Sequence, residues 1–274
     1  MLLKYPGSKF SCRELLIDYA PFEFDEFRSP FCGNEPLLWS LPTDLPRWVN
    51  DLDEMIYRYW LGLRDDSTFI RRFQELRTEG FNSIDDMIRV FERCIEQVRL
   101  DKDPAAYLYV RRLAMKQMAG FHRPNFASFG YKFAADWSSL RAMSFDTMRR
   151  ARDIAQGVKI TCVDFAEVLR APVRKGCCWS LLDPPYYVSD HGMHIYEKCF
   201  NFDMRERLKT EVLKLNPDRH KVMITVEDSE YSHNEYYLDS RFNVIYRDYV
   251  SHMTTDDDDK CRTKRDLIVT NYDL

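Results

Sequence analysis

No apolar run in this chain approaches the roughly 20 residues that a membrane-spanning helix needs. The opening "MLLKYPGSKFSCRELL" lacks the long apolar stretch of a secretory signal, so export is not expected. Eight cysteines are present without a single C-x-x-C pair, scattered except for the adjacent Cys177 and Cys178, which read as core. That spacing suits neither a zinc site nor a disulfide framework, and it points to a reducing cytoplasm. His191, His194 and His233 have no partners at metal-ligand spacing, so no metal is expected. Internal repeats are missing too. The one biased segment is "DDDDK" at 256–260, whose Asp256–Asp259 read as a solvated hairpin loop.

Apolar and aromatic residues are plentiful. At 45% hydrophobic and 14% aromatic, the chain can build a substantial core, which excludes a disordered protein. Its 274 residues suit one large domain or a core with a subdomain. The formal net charge of −4 is unevenly spread. Between Pro104 and Arg152 stand nine basic residues (Arg111, Arg112, Lys116, Arg123, Lys132, Arg141, Arg149, Arg150 and Arg152) against Asp136 and Asp146. This net of +7 leaves −11 on the rest. A cationic face on an acidic body suits a nucleic-acid enzyme, and a set of solvated helix faces fits the same numbers.

The first fifty residues alternate strand-like and helix-like runs. "SCRELLIDYA" reads as a helix capped by Ser11 with Glu14 as its capping-box partner, and "FDEFRSPF" as a strand ending at Pro30. "EPLLWSL" reads as a helix start, "RWVND" as a strand, and "LDEMIYRYWLGL" as a helix. Residues 62–155 change character: "IRRFQEL", "IDDMIRVFERCIEQVRL" and "AAYLYVRRLAMKQMAGF" carry apolar residues at three- and four-residue spacing. The strand–helix rhythm resumes with "VKITCVDF", "CCWSLLD" and "HKVMITV", then a hairpin from "RFNVIYRDYV" to "DLIVTNY". The expected fold is α/β, a Rossmann-like sheet with helices on both faces and a mostly helical insert. Residues 1–61 and 156–274 form its catalytic part and 62–155 its insert.

"WSLLDPPYYVSD", 179–190, carries the chemistry. An apolar strand ends in an acid, two prolines that cannot continue a ladder, and two tyrosines. In an open parallel sheet, ligands bind outside the carboxyl ends of the strands. There Asp183 and the Pro184 carbonyl can accept both hydrogens of an exocyclic amine while Tyr186 stacks on its ring. Two acceptors stabilise the positive charge that develops when such a nitrogen, for example adenine N6, takes up a methyl group. Other strand ends carry matching features. Gly33 lies in a turn between strand and helix, where a cofactor can approach. Asp51 follows eighteen residues later, near the offset of an acid that accepts ribose hydroxyls, and Asp164 ends a third strand. Tyr196 lies downstream of DPPYY, where a loop could close over a base or simply cap a helix.

These motifs together resemble the Dam-type DNA adenine-N6 methyltransferases. "LLKYPGSKF" resembles that family's opening Lys-aromatic-x-Gly-x-Lys stretch, and "PFCGN" its P-F-x-G loop. "NDLDEMIYRY" resembles its strand-two acid, "CVDF" its strand-three acid, "DPPYY" its catalytic motif and "RTKRDLIVTNY" its closing strand. "GFHRPNFASFG" resembles a shortened form of its G-x-x-R-x-N…F-G recognition signature. The resemblance implies S-adenosylmethionine as methyl donor, held by Tyr5, Lys9, Phe31, Gly33, Asp51, Asp164, Phe165 and Asp183. It implies a flipped adenine held by Asp183, Pro184, Pro185 and Tyr186, with Tyr187 beside them. The partner is double-stranded DNA, with Arg111, Arg112, Lys116, Arg123, Asn125 and Lys132 as contacts, in a cytoplasmic, DNA-associated protein serving DNA modification or restriction. Two positions depart from the pattern: Ser29 stands where the family has an acid, and Glu35 where it has a second glycine. A weak or inactive DNA-binding relative, or a cytosine-N4 or RNA adenine methyltransferase, fits the same residues.

Overall fold

The computed structural model of the chain describes residues 2–4, 8–114, 136–185, 200–229, 232, 236, 239–251 and 262–273. Seven strands form one mixed sheet: β1 (Glu26–Ser29), β2 (Arg47–Asn50), β3 (Val158–Thr161), β4 (Cys178–Leu182), β5 (His220–Glu227), β6 (Asn243–Ser251) and β7 (Arg262–Thr270). Their spatial order is β3-β2-β1-β4-β5-β7-β6. The first five run parallel. The β6–β7 hairpin closes the edge, with β7 antiparallel to β5. This is the α/β, Rossmann-like architecture expected from the strand–helix rhythm.

Alternation along the strands builds two core layers. Leu182, Val222, Ile224, Leu267 and Val269 face a layer with α8 (Phe165–Arg170) and α9 (Phe202–Leu213). Their neighbours Trp179, Leu181, Met223 and Ile268 face Leu16 of α1 (Arg13–Asp18) and Leu37. Successive strand residues point to opposite faces, so these central strands are apolar on both sides.

Between β2 and β3 the described chain is helical: α2 (Glu54–Asp65), α3 (Phe69–Gly80), α4 (Ile84–Asp101), α5 (Pro104–Leu113), α6 (Trp137–Arg141) and α7 (Phe145–Ala155). These helices bury Tyr59, Phe73, Phe91, Leu108, Leu140 and Met148 in one cluster that also takes in Val49 and Val158 of the sheet. The insert therefore shares a core with the β2–β3 side, and α2 runs without a break across position 62.

Three local expectations change. The Ser11–Glu14 capping box gives way to a 3-10 turn, Lys9–Cys12, that leads into α1; Cys12 holds the cap position, and Glu14 pairs with Arg13 at 3.1 Å. "EPLLWSL" forms only one 3-10 turn, Pro36–Trp39. Leu41 precedes Pro42, and a residue before proline is pushed out of the helical region. Cys178 is core as expected, but Cys177 is partly exposed.

Candidate active site

Because β1 to β4 are parallel, their carboxyl ends lie along one edge, and the chain changes direction between the neighbours β1 and β4. This is a topological switch point, where open α/β sheets form their ligand crevice. The loop after β1 (Pro30 to Glu35) and the D-P-P after β4 flank it.

The loop after β1 is tied to its neighbours by hydrogen bonds to its backbone. Cys32 N donates to Asn50 O at 2.8 Å, Asn50 Nδ2 to Pro30 O at 3.0 Å, and Trp60 Nε1 to Gly33 O at 2.9 Å. Gly33 has φ 43, and its N–H donates to Asp51 Oδ2 at 2.8 Å. Asp53 N occupies Asp51 Oδ1 at 3.0 Å. Burial and then the neighbouring Asp53 push the Asp51 carboxyl up to about 7. Glu35 also has a positive φ, 27, in the left-handed region that suits glycine. Its side chain is buried and accepts from Leu37 N at 3.1 Å. Burial lifts the Glu35 carboxyl to about 7 against the Ser29 and Leu37 hydrogen bonds, and Asp183 adds to the rise.

Asp183 lies at the end of β4 with its side chain a quarter exposed. Lys9, buried at the base of the N-terminal 3-10 turn, donates to its Oδ1 at 2.7 Å. Thr225 of β5 donates to the same oxygen at 2.5 Å. Pro184 is buried and Pro185 partly exposed.

Asp164 is held differently. It caps α8 by accepting from Ala166 N at 2.9 Å, and Arg207 of α9 grips both of its oxygens, at 2.6 and 2.9 Å. Burial opposes ionisation there, but the Arg207 and Ala166 bonds prevail and hold the carboxyl below its usual range. The Arg207 guanidinium lies over the Phe165 ring at 4.9 Å. Phe165 in turn clusters with Phe31 at 5.3 Å and with Phe200 at 6.3 Å.

The structure therefore brings Lys9, Phe31, Gly33, Asp51, Asp164, Phe165, Asp183, Pro184 and Pro185 to one edge of the sheet. Tyr5, Tyr186 and Tyr187 lie outside the described residues, as do Lys116, Arg123, Asn125, Lys132, Asp256–Asp259, His191, His194, His233 and Tyr196. Arg111 and Arg112 are described, and they correct the sequence reading. Both are buried. Arg112 donates to Leu2 O at 3.0 Å and Ser139 O at 2.7 Å, and Arg111 to Lys4 O at 3.2 Å. Both guanidinium groups are buried and directed at backbone carbonyls of the N-terminal segment and α6, so neither is placed to meet a phosphate. Of the same segment, Arg141, Arg149 and Arg150 are exposed.

Sequence reasoning missed Thr225 and Arg207. The one available signal was the threonine inside the apolar "KVMITV" of the next strand. Neither the family models nor the curated proteins provide a significant match to this chain. Among the described residues no helix is long and apolar enough to cross a membrane.

Proposed function

We propose that this chain is an S-adenosylmethionine-dependent methyltransferase of the Dam type, acting on adenine N6 in double-stranded DNA in the cytoplasm. The observation that carries the reading is the placement of Asp183-Pro184-Pro185 and the glycine loop on either side of the switch point, with Lys9 and Thr225 orienting the Asp183 carboxylate.

The donor's fit divides along the edge. Around Gly33 and Asp51 the residues suit it: a glycine at positive φ permits close backbone approach, and Asp51, fixed by the Gly33 and Asp53 N–H groups, is an acid that can accept ribose hydroxyls. At Asp164 and Phe165 an acid and a flat ring suit an adenine, and Arg207 must yield for them to receive one. When bound, S-adenosylmethionine supplies an electrophilic methyl group. The chain's own part is to hold the amine. With Oδ1 of Asp183 engaged by Lys9 and Thr225, Oδ2 is the oxygen that accepts an amine hydrogen, and the Pro184 carbonyl accepts the second. Both acceptors strengthen as positive charge grows on nitrogen. Lys9, beside Asp183, offsets the carboxylate's charge and keeps it in place.

A second reading, a relative that keeps the fold without using the donor, is favoured by one observation: Arg207 already satisfies Asp164 and covers Phe165. Isothermal calorimetry with S-adenosylmethionine separates the two. Binding with micromolar affinity, together with N6-methyladenine in digested product DNA, is expected; absence of both overturns the proposal.

A further inference from the structure

Thr225 is buried on β5 and presents its hydroxyl to the catalytic strand end. We infer that Thr225 is a positioning residue that, with Lys9, locks the Asp183 carboxylate in the one orientation that leaves Oδ2 for the substrate amine. The inference rests on the proposed reaction and deepens it.

Placement comes from the sheet. Leu182 pairs with Ile224 in the parallel β4–β5 register, so Asp183, the first residue past β4, stands beside Thr225, while β5 continues to Glu227 against β7. The hydroxyl is thus delivered by a central strand, flanked by β4 and β7, and not by a surface loop. Threonine is branched at Cβ and stiff about χ1, so its hydroxyl direction follows from the backbone. A buried hydroxyl needs a partner, and at 2.5 Å the carboxylate supplies one.

Two donors on one oxygen do what a single donor cannot. Lys9 alone, a point charge on a flexible stem, can follow the carboxylate as it turns about its Cβ–Cγ bond. The short directional bond from Thr225 restricts that rotation. A carboxylate left to turn would present either oxygen to the amine, and misplacement by about 1 Å costs on the order of 10²-fold in rate.

Three variants test this: Thr225→Val, which keeps the shape and removes the hydroxyl; Thr225→Ser, which restores it; and Thr225→Val combined with Asp183→Ala. The readout is single-turnover methyl transfer to phage genomic DNA, scored as N6-methyladenine after digestion to nucleosides, alongside S-adenosylmethionine affinity by calorimetry. Expected are a 10- to 100-fold loss of rate in Thr225→Val with unchanged donor affinity, and recovery to within about threefold in Thr225→Ser. In the Asp183→Ala background, Thr225→Val should cost nothing more, since the group it positions is gone. An active parent whose Thr225→Val variant is equally fast overturns the clamp alone, as does a loss that persists undiminished without Asp183 or that Ser fails to restore. A parent that binds no donor and methylates no DNA overturns the proposed reaction and this inference with it.

Discussion

Asp183 and Asp164 end strands of the same sheet, and each meets a cation, yet they are held in opposite ways. At Asp183 the two contacts converge on a single oxygen, from a buried lysine and a strand threonine. At Asp164 a planar guanidinium takes both oxygens, and a helix N-terminus takes a further bond. The first arrangement orients an acceptor and leaves it capacity. The second satisfies its carboxylate, which suits a structural tie between α8 and α9. Two acids with the same position in the sequence pattern thus differ in chemistry because of what faces them.

Breaking the Asp183 end should have the largest effect. Asp183→Ala removes the proposed amine acceptor and should lower methyl transfer by about 10²–10³ with little change in donor affinity. Methyl incorporation into DNA checks the first expectation and calorimetry the second.

Glu35, buried beside that end, should add its own dependence of stability on pH. Its folded pKa, about 7, lies above the ordinary 4.5, so the native protein holds this proton more tightly than the unfolded chain does. The contribution is full below about pH 4.5 and is lost as pH rises through about 7. The loss amounts to about 3 kcal/mol. Glu35→Gln keeps an acceptor for Leu37 N and removes the titration. Urea unfolding at pH 5 and pH 8 should therefore show the parent losing more stability than the variant, by about that amount. Equal losses would place the charge elsewhere.

The Asp164 end should respond least, and in the opposite sense. Arg207→Ala frees Asp164 and the Phe165 face. The pair is partly exposed, with 40% and 29% of the two side chains accessible, so the donor gains at most about 1 kcal/mol by not displacing it. Donor affinity should rise up to about fivefold. Weaker binding would instead make Arg207 part of the donor site and erase the contrast with Asp183.

Much of the fold could be read from the chain. The unbroken apolar run in "HKVMITV" marks a strand between two packed layers, and three- and four-residue spacing in "IDDMIRVFERCIEQVRL" marks α4, because burial leaves its pattern on sequence. The strand-end acids were legible for the same reason: Asp51, Asp164 and Asp183 each follow a short apolar or β-branched run that can only stop where the sheet does. Short-range turns were less secure. The 3-10 turn Pro36–Trp39 and the Cys12 cap depend on packing of the loop that precedes them, which no propensity encodes.

By itself, then, the sequence determined the layered α/β plan and the row of polar residues along one edge, since both follow from periodicities of a few residues. Only the tertiary structure decided what each charge does. Arg111 and Arg112 lie in a segment with a net charge of +7, yet folding turned both inward onto backbone carbonyls. Lys9 reaches Asp183 across 174 positions, Arg207 reaches Asp164 across 43, and Thr225 reaches Asp183 across 42. A charge or hydroxyl can take any partner that the fold brings within about 3 Å. Strand register and helix docking make that choice, and neither is written in the residues adjoining the group.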